Sequence, residues 1–128
     1  MPLTFPKKEK LKSKKLIDRL FAEGKAMTSY PIKLIYIQTG ATEKVRFQTG
    51  VTVPKKKFKS AVKRNRIKRL LREAYRLNKP ILFNNSEGNF AFLFLYLGKE
   101  MPQYQSIEAH LKKLLQKFIN QVDDEKLD

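Results

Sequence analysis

Hydrophobic positions recur along the chain with two periods, and the switch between them marks the elements. Leu16, Ile17, Leu20 and Phe21 form one stripe of a short helix, with Ser13 placed to cap it and Gly24 to end it. Over residues 30–38 and 44–53 the period drops to two, which predicts strands joined through residues 39–43, where Gly40 suits a turn. The second strand sets Val45, Phe47, Thr49, Val51 and Val53 against Arg46, Gln48, Gly50 and Thr52. One of its faces is therefore core and the other at least partly open. The first is apolar on both faces, Ile32, Leu34 and Tyr36 opposing Ile35 and Ile37, so a second layer should cover it. Pro31 belongs at its start.

A long helix is expected over residues 60–77, buried along Ile67, Leu70, Leu71, Ala74 and Tyr75 and stopped by Asn78, Lys79 and Pro80. After a polar loop at residues 84–89, the run FAFLFLYL (residues 90–97) reads as a strand buried on both faces. Ser106 is placed to cap a last helix carrying Ile107, Leu111, Leu114, Leu115, Phe118, Ile119 and Val122. Residues 123–128, DDEKLD, read as a frayed acidic tail behind one domain of residues 1–122. No repeat or low-complexity segment is present. The order of elements predicts an α/β sandwich built on one sheet.

Composition narrows the function. The 128 residues suit a single core, and 41% hydrophobic residues are enough to fold it. Against that core stand 28 Lys and Arg and only 12 acids, a net charge of +16 that calls for a polyanionic partner, nucleic acid or an anionic membrane. The longest apolar run has eight residues, far short of the roughly 18 of a spanning helix, and the first residues lack the apolar stretch of a secretory signal. Zero Cys excludes disulfides, thiolate zinc sites and cysteine nucleophiles, and fits a reducing, cytoplasmic setting.

The charge is concentrated. Residues 55–79 hold twelve Lys and Arg and a single acid, Glu73. At about 100° per residue, Asn65, Lys68, Arg69, Arg72 and Arg76 fall opposite the buried stripe, and Arg64 and Arg66 flank its edges. An ordinary solvated face mixes signs for i,i+4 pairing; this one repeats like charge from Lys68 to Arg72 to Arg76, which suits phosphate binding. A membrane-surface helix would place Trp or Phe on its apolar side, and this one does not. Phe21, Tyr30 and Tyr36 lie in segments that also carry cations, a combination that holds single-stranded RNA, although for each ring taken singly plain core packing is the stronger reading. Catalysis has little to work with. His110 is the only His, and adjacent carboxylates occur only at Asp123, Asp124 and Glu125, so neither a catalytic residue nor a side-chain metal site is expected.

The segment AVKRNRIKRLLREAYR (residues 61–76) resembles the signature helix of the protein subunit of bacterial ribonuclease P, and the match extends to LKSKKLIDRLFAEG (11–24), the strand at 32–36 and GVTVPKKK (50–57). The resemblance implies one αβββαβα domain with a mostly antiparallel four-stranded sheet, a left-handed βαβ crossover and an extra strand near residues 25–29. It implies a subunit that binds a catalytic RNA and the 5′ leader of precursor tRNA, while RNA and magnesium carry out the cleavage. The RNA-facing set is then Lys55, Lys56, Lys57, Arg64, Asn65, Arg66, Lys68, Arg69, Arg72 and Arg76; the leader cleft is Ile17, Phe21, Ile32, Ile35 and Tyr36. Of the rings common in that cleft only Phe21 matches, and Ile17 and Ile35 offer apolar contact instead. The basic loop at residues 55–62 is one residue longer than the usual pattern, with Lys59 where Gly is frequent. The competing readings are a ribosomal-protein-like structural RNA binder and a protein-only nuclease.

Overall fold

The computed structural model describes the backbone of residues 4–40 and 45–127, with side chains through residue 122. After a 3-10 turn at Lys7–Glu9, the elements are α1 (Lys14–Glu23), β1 (Lys25–Ser29), β2 (Ile32–Gln38), β3 (Phe47–Thr52), α2 (Ala61–Asn85), β4 (Phe90–Tyr96) and α3 (Tyr104–Leu127). The αβββαβα order is as expected, and the class is α+β. The sheet runs β1-β2-β4-β3, antiparallel except for the parallel β3–β4 pair.

The sheet order revises one expectation: β2 and β3 are not a hairpin, because β4 lies between them. Residues 41–43 of the expected turn, and residue 44 at the start of the expected second strand, lie outside the described residues. The reason for the insertion is the composition of β4. Phe90, Phe92, Phe94 and Tyr96 turn to one side, and Ala91 and Leu93 to the other. A strand apolar on both faces is most favourable at the centre of a sheet covered on both sides. On the first side α2 and α3 close the main core, where Phe118 meets Phe92 edge-on at 4.7 Å and Tyr36 at 5.0 Å. On the second, Leu20 of α1 joins Leu11, Ile35, Ala91 and Leu93. This is the second layer that the two-faced β2 demanded.

Two helix boundaries also differ from expectation. α2 does not stop at Asn78–Pro80 but continues to Asn85 with Pro80 inside it. The helix hydrogen bond that Pro80 cannot donate is offset by what the extra turns bury: Leu82 is fully buried, and Phe83 packs on Phe47 at 5.0 Å. Arg46 then closes the end, donating to the carbonyls of Phe83 (3.2 Å) and Ser86 while its guanidinium lies over the rings of Phe47 and Phe83. α3 begins at Tyr104 rather than after Ser106, whose N–H, like that of Ile107, already donates to the Gln103 carbonyl. The Tyr104 hydroxyl reaches Glu108 one turn on (3.1 Å), which secures that earlier start. All seven residues of the α3 stripe are buried. Its backbone stays helical to Leu127, through residues read as a frayed end.

Candidate RNA-binding surfaces

α1 is built to expose part of one side. Ser13 Oγ accepts the Leu16 N–H (3.2 Å), and the Gly24 N–H closes the other end on the Leu20 carbonyl (2.9 Å). A Cβ at Gly24 would sit 2.4 Å from that carbonyl oxygen and 2.6 Å from Ile35, so only glycine lets α1 lie this close to the sheet. With Leu20 pointing into the sheet, Ile17 and Phe21 are left beside the outer strand β3, and Phe21 is 58% exposed.

There they line a groove of about 370 Å³. Its floor is β3 around Gly50, together with Leu93; a side chain at Gly50 would press on Leu11 and Leu93, both 3.3 Å from the Cβ position. The opposite wall is the N-terminal segment, through Phe5, Lys10, Leu11 and Lys12, and Arg72 of α2 reaches the rim. The result is an apolar trough with three cations at its edge.

Only two of the five expected cleft residues line it. Ile32 and Tyr36, 0% and 4% exposed, are in the core on the far face of the sheet. Side chains alternate along a strand, so neither can turn to the groove while Ile35 faces α1. Ile35 is on the correct face but buried beneath α1 near Gly24, clear of the groove. The sequence reading missed Phe5, Lys10, Lys12, Val51, Thr52 and Leu93; the open face of β3, already visible in its alternation, pointed to Thr52 and Gly50.

The second surface is the outer side of α2. Asn65, Arg66, Arg69 and Arg72 are exposed and Lys68 half-exposed. Ser60 caps the helix by accepting the Lys63 N–H (3.3 Å), and no acid occupies the first turn, so the positive end of the helix dipole is left for an anion. Lys55, Lys56 and Lys57 are exposed on the preceding loop, anchored by buried Phe58 against Tyr96.

Two expected members of this set have structural duties. Arg64 Nη1 donates to the carbonyls of Phe58 (2.7 Å) and Lys59 (2.9 Å), clamping the loop to the helix. Arg76 is paired with Glu73 at 3.1 and 2.5 Å, and that bond holds the Glu73 carboxyl below its usual range. His110 fastens α3 to β1, with Nδ1 2.9 Å from Ser29 Oγ. Among the described residues no group of three His, Cys, Asp or Glu is gathered for a metal ion, and no helix is long and apolar enough to cross a membrane.

A basic helix face beside an apolar, cation-rimmed groove defines an RNA-binding α+β domain. The family profile described as Ribonuclease P matches residues 5–119. The ribonuclease P protein component of Porphyromonas gingivalis is 38% identical over 120 residues, covering 89% of this chain and 87% of that protein. That of Dictyoglomus turgidum is 42% identical over 115 residues, covering 89% and 88%. The ribonuclease P protein structures of Thermotoga maritima and Staphylococcus aureus share the fold, with TM-scores of 0.69 and 0.68, identities of 23% and 20%, coverage of this chain of 85% and 84%, and coverage of their own chains of 96% and 93%. The chain belongs to the ribonuclease P protein family, the protein component of an RNA-containing endonuclease that matures the 5′ ends of tRNA. Its partner is the ribonuclease P RNA.

Proposed function

We propose that the groove binds the single-stranded 5′ leader of precursor tRNA, and that the outer face of α2, with Lys55, Lys56 and Lys57, binds the catalytic RNA. The observation that carries the reading is Phe21: an aromatic ring more exposed than buried, on the wall of a groove rimmed by Lys10, Lys12 and Arg72. A base can lie against such a ring while its phosphates meet the cations. On α2, the exposed Arg66, Arg69 and Arg72 forks match phosphate oxygens, and Asn65 adds an amide between them.

In this reading the metal-ion chemistry is carried by the RNA, and no catalytic role is assigned to this chain. Its work is to hold the leader in one groove and the catalytic RNA on the adjoining helix, so that the leader junction is presented to the RNA active site. The test is Phe21→Ala in the reconstituted holoenzyme: affinity for precursor tRNA should fall while affinity for mature tRNA, which has no leader, should hold.

A further inference from the structure

The N-terminal wall of the groove is tied down by a device whose sequence shows no periodicity. Glu9 Oε1 lies 2.7 Å from Lys79 Nζ, and the two side chains are only 13% and 3% exposed. Ahead of that pair the Phe5 ring packs on Tyr75 at 5.3 Å. Beyond it, Lys10 bridges to Thr49 in parallel register, and the Leu11 N–H donates to the Thr49 carbonyl at 3.0 Å. Arg72, Tyr75 and Lys79 follow one another at helical spacing along one side of α2, so the segment runs beside the helix from the groove rim to the buried pair.

A lysine this buried cannot reach an RNA phosphate, and its burial carries a desolvation cost that an apolar pair of similar size would avoid. What an ion pair supplies in return is direction: one carboxylate, one ammonium and one register for the segment between Phe5 and Leu11. We propose that the Glu9–Lys79 pair is the positioning device of the groove. It fixes the wall that carries Phe5, Lys10 and Lys12, and thereby couples the width of the groove to the helix that faces the catalytic RNA. The inference rests on the leader reading above. Neither residue is catalytic; both act through the wall they hold.

The test uses holoenzyme reconstituted with Glu9→Gln, with the swapped pair Glu9→Lys/Lys79→Glu, and with Phe21→Ala as the reference. Glu9→Gln should lower precursor tRNA affinity roughly five-fold or more, the scale of one lost base contact. Affinity for mature tRNA and for the catalytic RNA should not change, and the swapped pair should recover at least part of the loss. In the full-length free protein, hydrogen exchange should show the Leu11 amide losing protection in Glu9→Gln while amides of β4 and α2 keep theirs, which separates a released wall from an unfolded domain. If Glu9→Gln spares precursor affinity while Phe21→Ala lowers it, the positioning role is overturned and the leader groove stands. If Phe21→Ala also spares it, both fall. Equal losses for precursor and mature tRNA would make the pair a general stabiliser and overturn the proposal.

Discussion

Truncating Phe21 to Ala separates a binding ring from a packing ring by magnitude. A buried Phe removes roughly 200 Å² from water. With 58% of Phe21 exposed, about 80 Å² is covered, worth at most ~2 kcal/mol at ~25 cal/mol per Å². The retained Cβ lowers the expected cost to about 1–2 kcal/mol, against roughly 3–5 kcal/mol for a core ring such as Phe92. Loss of a base contact costs a further ~1–3 kcal/mol of leader binding, or roughly a five- to 150-fold drop in precursor affinity. Chemical denaturation of Phe21→Ala and Phe92→Ala side by side measures the first quantity. Titration of the Phe21→Ala holoenzyme with precursor and mature tRNA measures the second. A stability loss as large as that of Phe92→Ala, with equal weakening toward both tRNAs, would refute the reasoning and return Phe21 to the core.

Arg69→Ala should flatten the salt dependence of catalytic-RNA binding by ~0.7–0.9 in slope, with stability held within about 0.5 kcal/mol. Arg64→Ala should instead cost about 1–3 kcal/mol of stability, because the Phe58 and Lys59 carbonyls lose a charged donor; equal behaviour of the two variants in denaturation would refute the clamp. The Glu108 carboxyl is held below its usual range chiefly by the Asn78 amide (3.1 Å), with the Tyr104 hydroxyl assisting. Its contribution is therefore fully present above the ordinary glutamate pKa and lost as pH falls through the depressed one. Glu108→Gln should flatten the acid limb of stability against pH, and an unchanged limb would count against the link. His110→Ala should leave holoenzyme turnover intact, and protein freed of RNA should leave precursor tRNA uncut in magnesium; cleavage by that preparation would assign chemistry to the chain itself.

The elements with the strongest patterns were legible from sequence. The two-faced run of β4, the seven-residue stripe of α3 and the like-signed charges of α2 each depend on local spacing, which is what a sequence displays. The cleft was legible only in part, because β2 is apolar on both faces and nothing local says which face α1 will cover. Parity along the strand does separate Ile32 and Tyr36 from Ile35, and the resemblance had grouped residues of both parities. Pro80 misled for a related reason: its helix-stopping tendency is local, whereas the burial of Leu82 and the cap from Arg46 come from distant segments. The N-terminal wall was invisible because its contacts, Glu9 to Lys79 and Phe5 to Tyr75, join residues that no periodicity relates.

The place of β4 between β2 and β3 has a consequence for the order in which the molecule is made. Gln38 must find Phe90, Ile32 must find Tyr96, and Phe47 must find Phe90, so the centre of the sheet is the last strand to leave the ribosome. Until then β1 and β2 can pair as a hairpin, but β3 has only the Lys10 and Leu11 segment beside it and α2 lacks the centre of the sheet it packs on. The contacts that define the core are long-range, a topology that folds slowly. During that interval the arginines of α2 are already synthesised, on a segment whose like charges oppose an isolated helix. A polyanion met at that stage would reduce that repulsion, so the charge that suits α2 to RNA in the folded protein is a cost to the segment while it is still alone.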